Sequence, residues 1–301
     1  MIQTWSWEFT DRCNLACKHC LIDPAKSDGV QFDKSTYLEI VSRIKRFGGE
    51  NILVTGGEAF FIDGFMEIAQ SAKALGMNIS VVTNGTIVSD EVLIQQIADT
   101  FDVIGISFDG PETEHDAVRG KGMYRRSLKF ARQLLQSGGE VVAFVTLNNL
   151  NRNKVKKLAA ELISAGIQAI HVNELNVVGR AIKNSWLHLS ERRETIEQSL
   201  LSQLDELIEI DKDREWSRAC SIGRHEVHMM HNGDIFSCVE LGNYYPDKAI
   251  ASIFDNDLPQ KWDDYFQDFV PANACAYETY EDDGIVLQLN CGNCPFVEAV
   301  R

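Results

Sequence analysis

The sequence lacks two features that would place a protein in or beyond a membrane. No apolar run is long enough to cross a bilayer, although 45% of the 301 residues are apolar. Residues 1–12 lack the basic start and the apolar stretch of a secretory signal peptide. We therefore predict a globular protein that stays in the cytoplasm and has no membrane partner.

Basic residues are scarce. Lysine and arginine number 29 against 44 aspartates and glutamates, which gives a formal net charge of −15 at pH 7. Because binding to duplex nucleic acid needs clustered lysine and arginine, nucleic acid is excluded as the main partner. The acidic balance permits a cationic substrate, but the needs of a soluble surface explain it more simply.

Eight cysteines in a chain without an export signal favour metal binding or redox chemistry over structural disulfides. They fall into two groups. Cys13, Cys17 and Cys20 lie close together near the start of the sequence. The other five occur in the last third, at positions 220, 238, 275, 291 and 294.

Up to about residue 180, short apolar runs alternate with amphipathic stretches in a repeating β-then-α order. Strands are predicted at residues 3–10, 51–55, 78–83, 103–108, 141–147 and 169–174, and helices at 34–47, 65–75, 90–98, 124–136 and 153–165. Six such units imply parallel strands with right-handed crossovers. Because eight units close a TIM barrel, we predict an α/β fold built on a partial (β/α)6 TIM-like barrel.

The β-then-α order ends near residue 185. Residues 190–210 predict one longer amphipathic helix with Ser190 as its N-cap. Residues 226–239 predict a hairpin around Asn232-Gly233. We therefore divide the chain into a barrel at residues 1–185, a linking helix at 186–215 and a small C-terminal iron–sulfur domain at 216–301.

The spacing of Cys13, Cys17 and Cys20, CxxxCxxC, is the strongest chemical signal in the sequence. Three thiolates in one loop hold three irons of a [4Fe–4S] cluster and leave the fourth iron open to an outside ligand. A disulfide and a zinc site are the alternatives, but structural zinc normally takes a closed set of four ligands. The motif follows the first predicted strand, where a parallel barrel places its functional groups, so we predict a cluster here.

This motif and three later loops resemble the radical S-adenosylmethionine (SAM) superfamily. The loops are Thr-Gly-Gly-Glu at 55–58, residues 82–85, and residues 106–110 with 115–120, each after a predicted strand. The resemblance implies an enzyme whose [4Fe–4S] cluster cleaves SAM reductively to a 5′-deoxyadenosyl radical. That radical then abstracts hydrogen from a substrate.

The resemblance also implies roles for residues in these loops. Gly56, Gly57 and Glu58 would bind the amino group of SAM, since a carboxylate suits an ammonium. Asp109 would face the site as a catalytic residue. Position 59 departs from the family because it holds alanine where many relatives have proline. The remaining SAM-binding positions are Thr83, Asn84, Ser107 at the ribose, and Arg119, for which a solvated surface position is the alternative.

The late cysteines resemble the Twitch domain, a shortened form of the SPASM domain. The resemblance implies one auxiliary [4Fe–4S] cluster on Cys220, Cys238, Cys291 and Cys294, and hence two clusters in the chain. Read without the family, the same four cysteines also fit zinc. Cys275 is left over. As a hydrogen-atom donor to a substrate radical it would be catalytic, as in radical SAM epimerases; an inert buried thiol is the alternative.

Residues 107–120 resemble the peptide-modifying branch, which implies a ribosomally made precursor peptide that is cross-linked, epimerised, rearranged or oxidised. A separate leader-peptide-binding protein is then expected, and a flavodoxin or ferredoxin as reductant. A sugar, cyclitol or aminoglycoside is the alternative substrate, because the net charge suits a polycation. A non-catalytic iron–sulfur electron carrier is the third hypothesis, and such a carrier would not bind SAM.

Overall fold

A computed structural model of the chain describes residues 2–22, 29–87, 90–167, 169–190, 226–267, 278–282 and 285–289, and four isolated positions between 195 and 203. Cys13, Cys17, Cys20 and Cys238 fall within these ranges. The predictions for most of the linking helix, and for Cys220, Cys275, Cys291 and Cys294, lie outside the described residues.

Six parallel strands form the centre of the fold and lie side by side in chain order. They are β1 (Thr4–Glu8), β2 (Asn51–Thr55), β3 (Asn78–Thr83), β4 (Val103–Ser107), β5 (Val141–Leu147) and β6 (Ala169–Glu174). Their carboxyl ends meet at one edge of the sheet, as crossover connections require. The predicted α/β fold with a partial TIM-like barrel is confirmed.

Segments from the last third of the chain extend this sheet at both edges. Next to β1 lies β7 (Glu226–Met229), in parallel, followed by the antiparallel β8 (Asp234–Phe236) and β9 (Ala251–Ser252). At the other edge, β11 (Ile285–Leu289) pairs in parallel with β6, and β10 (Glu278–Asp282) pairs with β11. The hairpin predicted around Asn232-Gly233 is confirmed. The division into domains stays a prediction.

Helices connect the parallel strands. The first six are α1 (Lys34–Arg46), α2 (Phe65–Ala74), α3 (Glu91–Thr100), α4 (Glu112–Arg119), α5 (Met123–Gln136) and α6 (Val155–Ser164); α7 (Val239–Tyr244) and α8 (Leu258–Gln267) follow β8 and β9. Aspartates cap two of them, since Asp33 accepts from Thr36 N–H and Asp90 from Leu93 N–H, each at 2.8 Å. Within the described residues, no helix combines the length and apolar character needed to cross a membrane.

Alternation along the strands separates the core from an open interior. On β1, Trp5 and Trp7 are buried with the core, whereas Ser6 and Glu8, on the opposite face, line a cavity. Strand β5 repeats the pattern, with Val145 in the core and its neighbour Thr146 on the cavity wall. Because successive side chains point to opposite faces of a sheet, the inner residues surround a space instead of packing against helices.

An aromatic cluster supports the chain where it leaves β1. The ring of Phe9 stacks on Tyr37 of α1 with centroids 4.3 Å apart and meets Phe65 of α2 edge-on at 5.0 Å. The Tyr37 hydroxyl also donates to the Phe9 carbonyl oxygen at 3.2 Å. These contacts anchor the segment that leads to Cys13.

Residues 179–184, in the connection that follows β6, pack against the CxxxCxxC segment. Arg180 N–H donates to the Cys20 carbonyl oxygen at 2.9 Å. Gly179 has a φ of +54°, and a β-carbon there would overlap the Leu21 carbonyl oxygen. Only glycine fits this approach without moving one of the two backbones.

We expect Gly179→Ala to destabilise the protein by about 1–3 kcal/mol more than Gly138→Ala, because overpacking adds to the backbone cost. Gly138 is the matched control, since its φ is +83° and an added β-carbon would have no atom within 4 Å. Urea unfolding of both variants measures the difference. Equal losses would show that the contact with Leu21 contributes nothing.

Candidate active site

Residues 13–20, called the cysteine loop from here on, follow β1 at the carboxyl edge of the sheet. Lys18 N–H donates to the carbonyl oxygen of Val118 in α4 at 2.9 Å. On the other side, the Asn184 side-chain amide donates to the Lys18 carbonyl oxygen at 3.0 Å. Hydrogen bonds to the backbone of Lys18 thus fix the loop that carries the three thiols.

The glycines after β2 allow a second backbone to approach this loop. Gly57 N–H donates to the Thr10 carbonyl oxygen at 2.6 Å, and Glu58 N–H donates to the Arg12 carbonyl oxygen at 2.8 Å. A β-carbon on Gly56 would lie 2.6 Å from the Thr10 oxygen, and one on Gly57 would overlap that of Arg12. The Gly-Gly pair is therefore required by the contact between two loops, whatever else it binds.

A cavity of about 520 Å³ opens at this edge and continues into the interior of the partial barrel. It is lined by the three thiols of the cysteine loop and by most residues that the sequence predicts to bind SAM, namely Gly56, Gly57, Thr83, Asn84, Ser107 and Arg119. Cys238, predicted to ligate an auxiliary cluster, lies on the same wall. The volume is in the ordinary range for a small-molecule site.

Glu58 lies behind the wall and not on it. Its side chain is fully buried, and its two carboxylate oxygens accept from the Thr83 hydroxyl, at 2.9 Å each, and from Asn84 N–H at 2.9 Å. In this arrangement Glu58 supports the loop after β3, and its predicted contact with the amino group of SAM stays a prediction. Burial raises the pKa of Glu58 to about 7.

Asp109 is also fully buried, and its carboxylate joins three segments. Oδ2 is bonded to Nε2 of His19 at 2.6 Å and to Nε of Arg119, and Oδ1 accepts from Thr146 N–H at 3.0 Å. Burial alone would raise the pKa of Asp109, but the Arg119 guanidinium and His19 outweigh it and hold that pKa well below its usual range. The catalytic role predicted for Asp109 stays a prediction; its contacts are those of a positioning residue.

Arg119 is mostly buried, with 10% of its side chain exposed, so the surface alternative for this residue is wrong. It lines the cavity while its guanidinium is bonded to Asp109. Nearby, Nδ1 of His115 accepts from Asp109 N–H at 3.2 Å, as a neutral imidazole does. Burial lowers the pKa of His115 to about 4, which keeps that acceptor available near neutral pH.

The donor set fits an iron–sulfur cluster. Burial raises the pKa of Cys17 to about 11, against the opposing effect of Arg119, and burial also raises the pKa of Cys13. Without metal both thiols are therefore protonated near pH 7, and metal binding must release their protons. Cys13 Sγ already accepts from Leu15 N–H at 3.4 Å, which is the kind of contact that a cluster thiolate receives.

Several cavity residues have no motif in the sequence. They lie on the inner face of the strands and include Ser6, Glu8, Phe144, His171, Asn173, Glu226 and His228. Glu8 is bonded to Nδ1 of His231 at 2.7 Å. For Ser6 and Glu8, the alternation of inner and outer residues along β1 was the available sequence signal. The pairing of β7 with β1, which adds His228 to the cavity wall, has no local sequence signature.

The family model described as the Radical SAM superfamily matches residues 7–162, slightly more than half of the chain. The chain belongs to the radical SAM superfamily. Members of this superfamily bind a [4Fe–4S] cluster and SAM, and the cysteine loop and the cavity beside it have the donors and the volume for both.

Among curated relatives, the sporulation killing factor maturation protein SkfB of Bacillus subtilis is 28% identical over 58% of this chain and 43% of its own length. Pre-heme d1 synthase of Dinoroseobacter shibae is 31% identical over 59% of this chain and 45% of its own length. The chain thus matches less than half of either relative.

Among solved structures, Streptococcus suis SuiB bound to its precursor peptide SuiA superposes with a TM-score of 0.67 at 14% identity. The match covers 87% of this chain and 64% of SuiB. At this identity the likeness shows a shared radical SAM fold.

The raised pKa of Glu58 predicts that this residue lowers the free energy of unfolding by an amount that depends on pH. The pKa of this carboxyl is about 7 in the folded chain and 4.5 in an unperturbed glutamate. Its burial therefore costs nothing below pH 4.5, and the cost to the free energy of unfolding grows as the pH rises to about 7. We expect Glu58→Gln to gain about 3 kcal/mol relative to the wild type between those limits. Urea unfolding at both pH values tests this, and parallel profiles would contradict it.

We expect Asp109→Asn to destabilise the protein by about 3–5 kcal/mol, because Arg119 loses its buried counter-charge. Asp102→Asn is the control. Asp102 is bonded to Lys73 at 2.6 Å with both side chains more than a third exposed, so its loss costs about 1 kcal/mol or less. Thermal or urea unfolding gives both values. A similar small loss in the two variants would rule out the buried pair as a support of the site.

Proposed function

We propose that the chain modifies a ribosomally made precursor peptide by radical SAM chemistry. One observation carries the proposal: the cysteine loop, the SAM-binding loops and the inner strand residues all open onto the same cavity. The name of SkfB, a maturation protein, and the precursor peptide bound to SuiB support a peptide as the substrate. The bond that is changed is a cross-link, an epimerisation, a rearrangement or an oxidation.

In this proposal, Cys13, Cys17 and Cys20 would hold the [4Fe–4S] cluster, which would supply the electron for reductive cleavage of SAM to a 5′-deoxyadenosyl radical. Gly56 and Gly57 present backbone groups to the amino end of SAM, and Glu58 holds the adjacent loop through Thr83 and Asn84. Arg119, fixed by Asp109, would meet the SAM carboxylate, and Ser107 would bond the ribose. The inner face of the barrel, with the adjoining rings of Phe144 and His171, contacts the substrate.

The proposal includes an auxiliary [4Fe–4S] cluster on Cys220, Cys238, Cys291 and Cys294, in a Twitch-type arrangement. The position of Cys238 on the cavity wall supports it, since a second cluster there would adjoin the substrate. Cys275 is the proposed hydrogen-atom donor if the reaction is an epimerisation. A separate leader-peptide-binding protein and a flavodoxin or ferredoxin are the proposed partners, and the cytoplasm is the proposed location.

A small-molecule substrate is the second candidate. Pre-heme d1 synthase, at 31% identity, bears a name that refers to a heme and not to a peptide, and a sugar, cyclitol or aminoglycoside also fits a cavity of about 520 Å³. Anaerobic incubation with reductant, SAM and the products of neighbouring genes, followed by mass spectrometry, separates the candidates. A mass change in an encoded peptide supports the first, and a change only in a small metabolite supports the second.

We expect the triple variant Cys13→Ala, Cys17→Ala, Cys20→Ala to lose all reductive cleavage of SAM and about half of the iron, if each thiolate set holds a four-iron cubane. Anaerobic reconstitution, iron analysis and chromatographic detection of 5′-deoxyadenosine measure both quantities. The contrasting variant is Cys238→Ala, which should lose iron of the auxiliary cluster but keep the cysteine loop and the reductive cleavage of SAM. Formation of 5′-deoxyadenosine by the triple variant would refute the function.

A further inference from the structure

The side chain of Asn84 has one possible orientation. Its Oδ1 lies 2.8 Å from the backbone nitrogen of Thr86 and 2.6 Å from the Thr86 hydroxyl. A backbone N–H only donates, so the atom that faces it is the carbonyl oxygen of the amide. The NH2 group of Asn84 must therefore point the other way, towards the cysteine loop.

Both hydrogens of that NH2 group have an acceptor. Nδ2 lies 2.8 Å from Oδ1 of Asn14 and 3.8 Å from Sγ of Cys13, within the longer reach of sulfur as an acceptor. Nδ2 of Asn14 donates in turn to the Thr86 hydroxyl at 2.9 Å. Asn84, Asn14 and Thr86 thus form a closed ring of hydrogen bonds that leaves one hydrogen of Asn84 for the sulfur.

The ring is built on a supported segment. Asn84 is 6% exposed and Thr86 is 4% exposed. The backbone of Asn84 is held on both sides, because its N–H donates to the Glu58 carboxylate at 2.9 Å and its carbonyl oxygen accepts from the Ser127 hydroxyl at 2.7 Å. The amide is therefore positioned before any ligand enters the cavity.

We infer that Asn84 donates a hydrogen bond to the Cys13 thiolate and thereby raises the reduction potential of the cluster. A hydrogen bond to a ligand sulfur stabilises the more negative, reduced form of an iron–sulfur cluster more than the oxidised form. Asn84 is a positioning residue in this respect, since it acts through Cys13. The inference rests on the proposed function in one respect, that Cys13 ligates the cluster.

The test is a redox titration of the reconstituted full chain without SAM, followed by the electron paramagnetic resonance signal of the reduced cluster. The signal is assigned to the cysteine loop by its change when SAM is added to the wild type. In Asn84→Ala and Asn84→Asp we expect about tenfold fewer reduced clusters at a fixed potential, a shift of about 59 mV to more negative values for a one-electron couple. Asn173→Ala, which removes an amide from β6 on the wall of the same cavity, should leave the potential unchanged.

The iron content of the variants shows whether Asn84 acts as a hydrogen-bond donor to Cys13 or is needed for the loop to hold the cluster at all. An unchanged potential in Asn84 variants that keep their full iron would overturn the inference. If those variants lose iron, Thr86→Val decides, because it keeps the Asn84 amide and the Thr86 backbone N–H but opens the ring of hydrogen bonds that holds the amide against Cys13. A smaller shift in the same direction supports the inference, and no shift overturns it. Wild-type protein that neither holds iron nor cleaves SAM would instead overturn the proposed function.

Discussion

The geometry of the site depends on one buried carboxylate, that of Asp109. It lies after β4, yet it bonds to His19 in the cysteine loop, to Arg119 at the end of α4 and to the backbone of Thr146 on β5. These three segments are separate in sequence, and they share as a neighbour a charge that water does not reach. A buried charge is tolerated when it is paired and fully hydrogen-bonded, so the requirement to satisfy Asp109 fixes the segments relative to each other.

The partial barrel has a cavity because several of its inner positions hold small side chains or none. Gly105 of β4 has no side chain, and a β-carbon there would come within 2.7 Å of the Phe144 ring. Small or polar residues such as Ser6 and Ser107 occupy neighbouring inner positions. A closed barrel fills this space with branched apolar layers, whereas this open sheet keeps a space beneath the cysteine loop whose walls combine polar and apolar side chains.

Much of the central sheet could be predicted from local sequence, because alternation and terminal glycines are local signals. The predicted bounds of β2, β3, β5 and β6 match the structure. Strand β1 ends earlier than predicted, at Glu8, because Thr10 bonds to the loop after β2 instead of continuing the ladder. Helix α4 was missed because four of its eight residues are charged and only Ala117 and Val118 are apolar; Pro111 before it, and Glu112 in its first turn, were the signals available.

The site residues were predicted from sequence motifs, and the limits of that prediction follow from what a motif omits. A motif indicates which residues surround a cavity but not which of their side chains line it, and Glu58 is an example because its carboxylate lies behind the lining. Whether a carboxylate lies on a wall or behind it depends on the bonds that Thr83 and Asn84 offer, and these come from the next strand. The contributions of Glu226 and His228 depend on the pairing of β7 with β1, which is a non-local contact.

Glu58 and Asp109 are both fully buried, yet their pKa values move in opposite directions. The difference lies in the partners. Asp109 has a guanidinium and an imidazole on one oxygen, whereas Glu58 accepts from neutral donors, a hydroxyl and backbone N–H groups, and Arg119 acts on it without a hydrogen bond. A positive charge bound in the cavity near Glu58 would act on this carboxylate as the Arg119 guanidinium acts on Asp109. It would lower the pKa of Glu58 towards its usual value. The protonation state of Glu58 is therefore linked to any cationic ligand in this cavity, even though its carboxylate lies behind the wall.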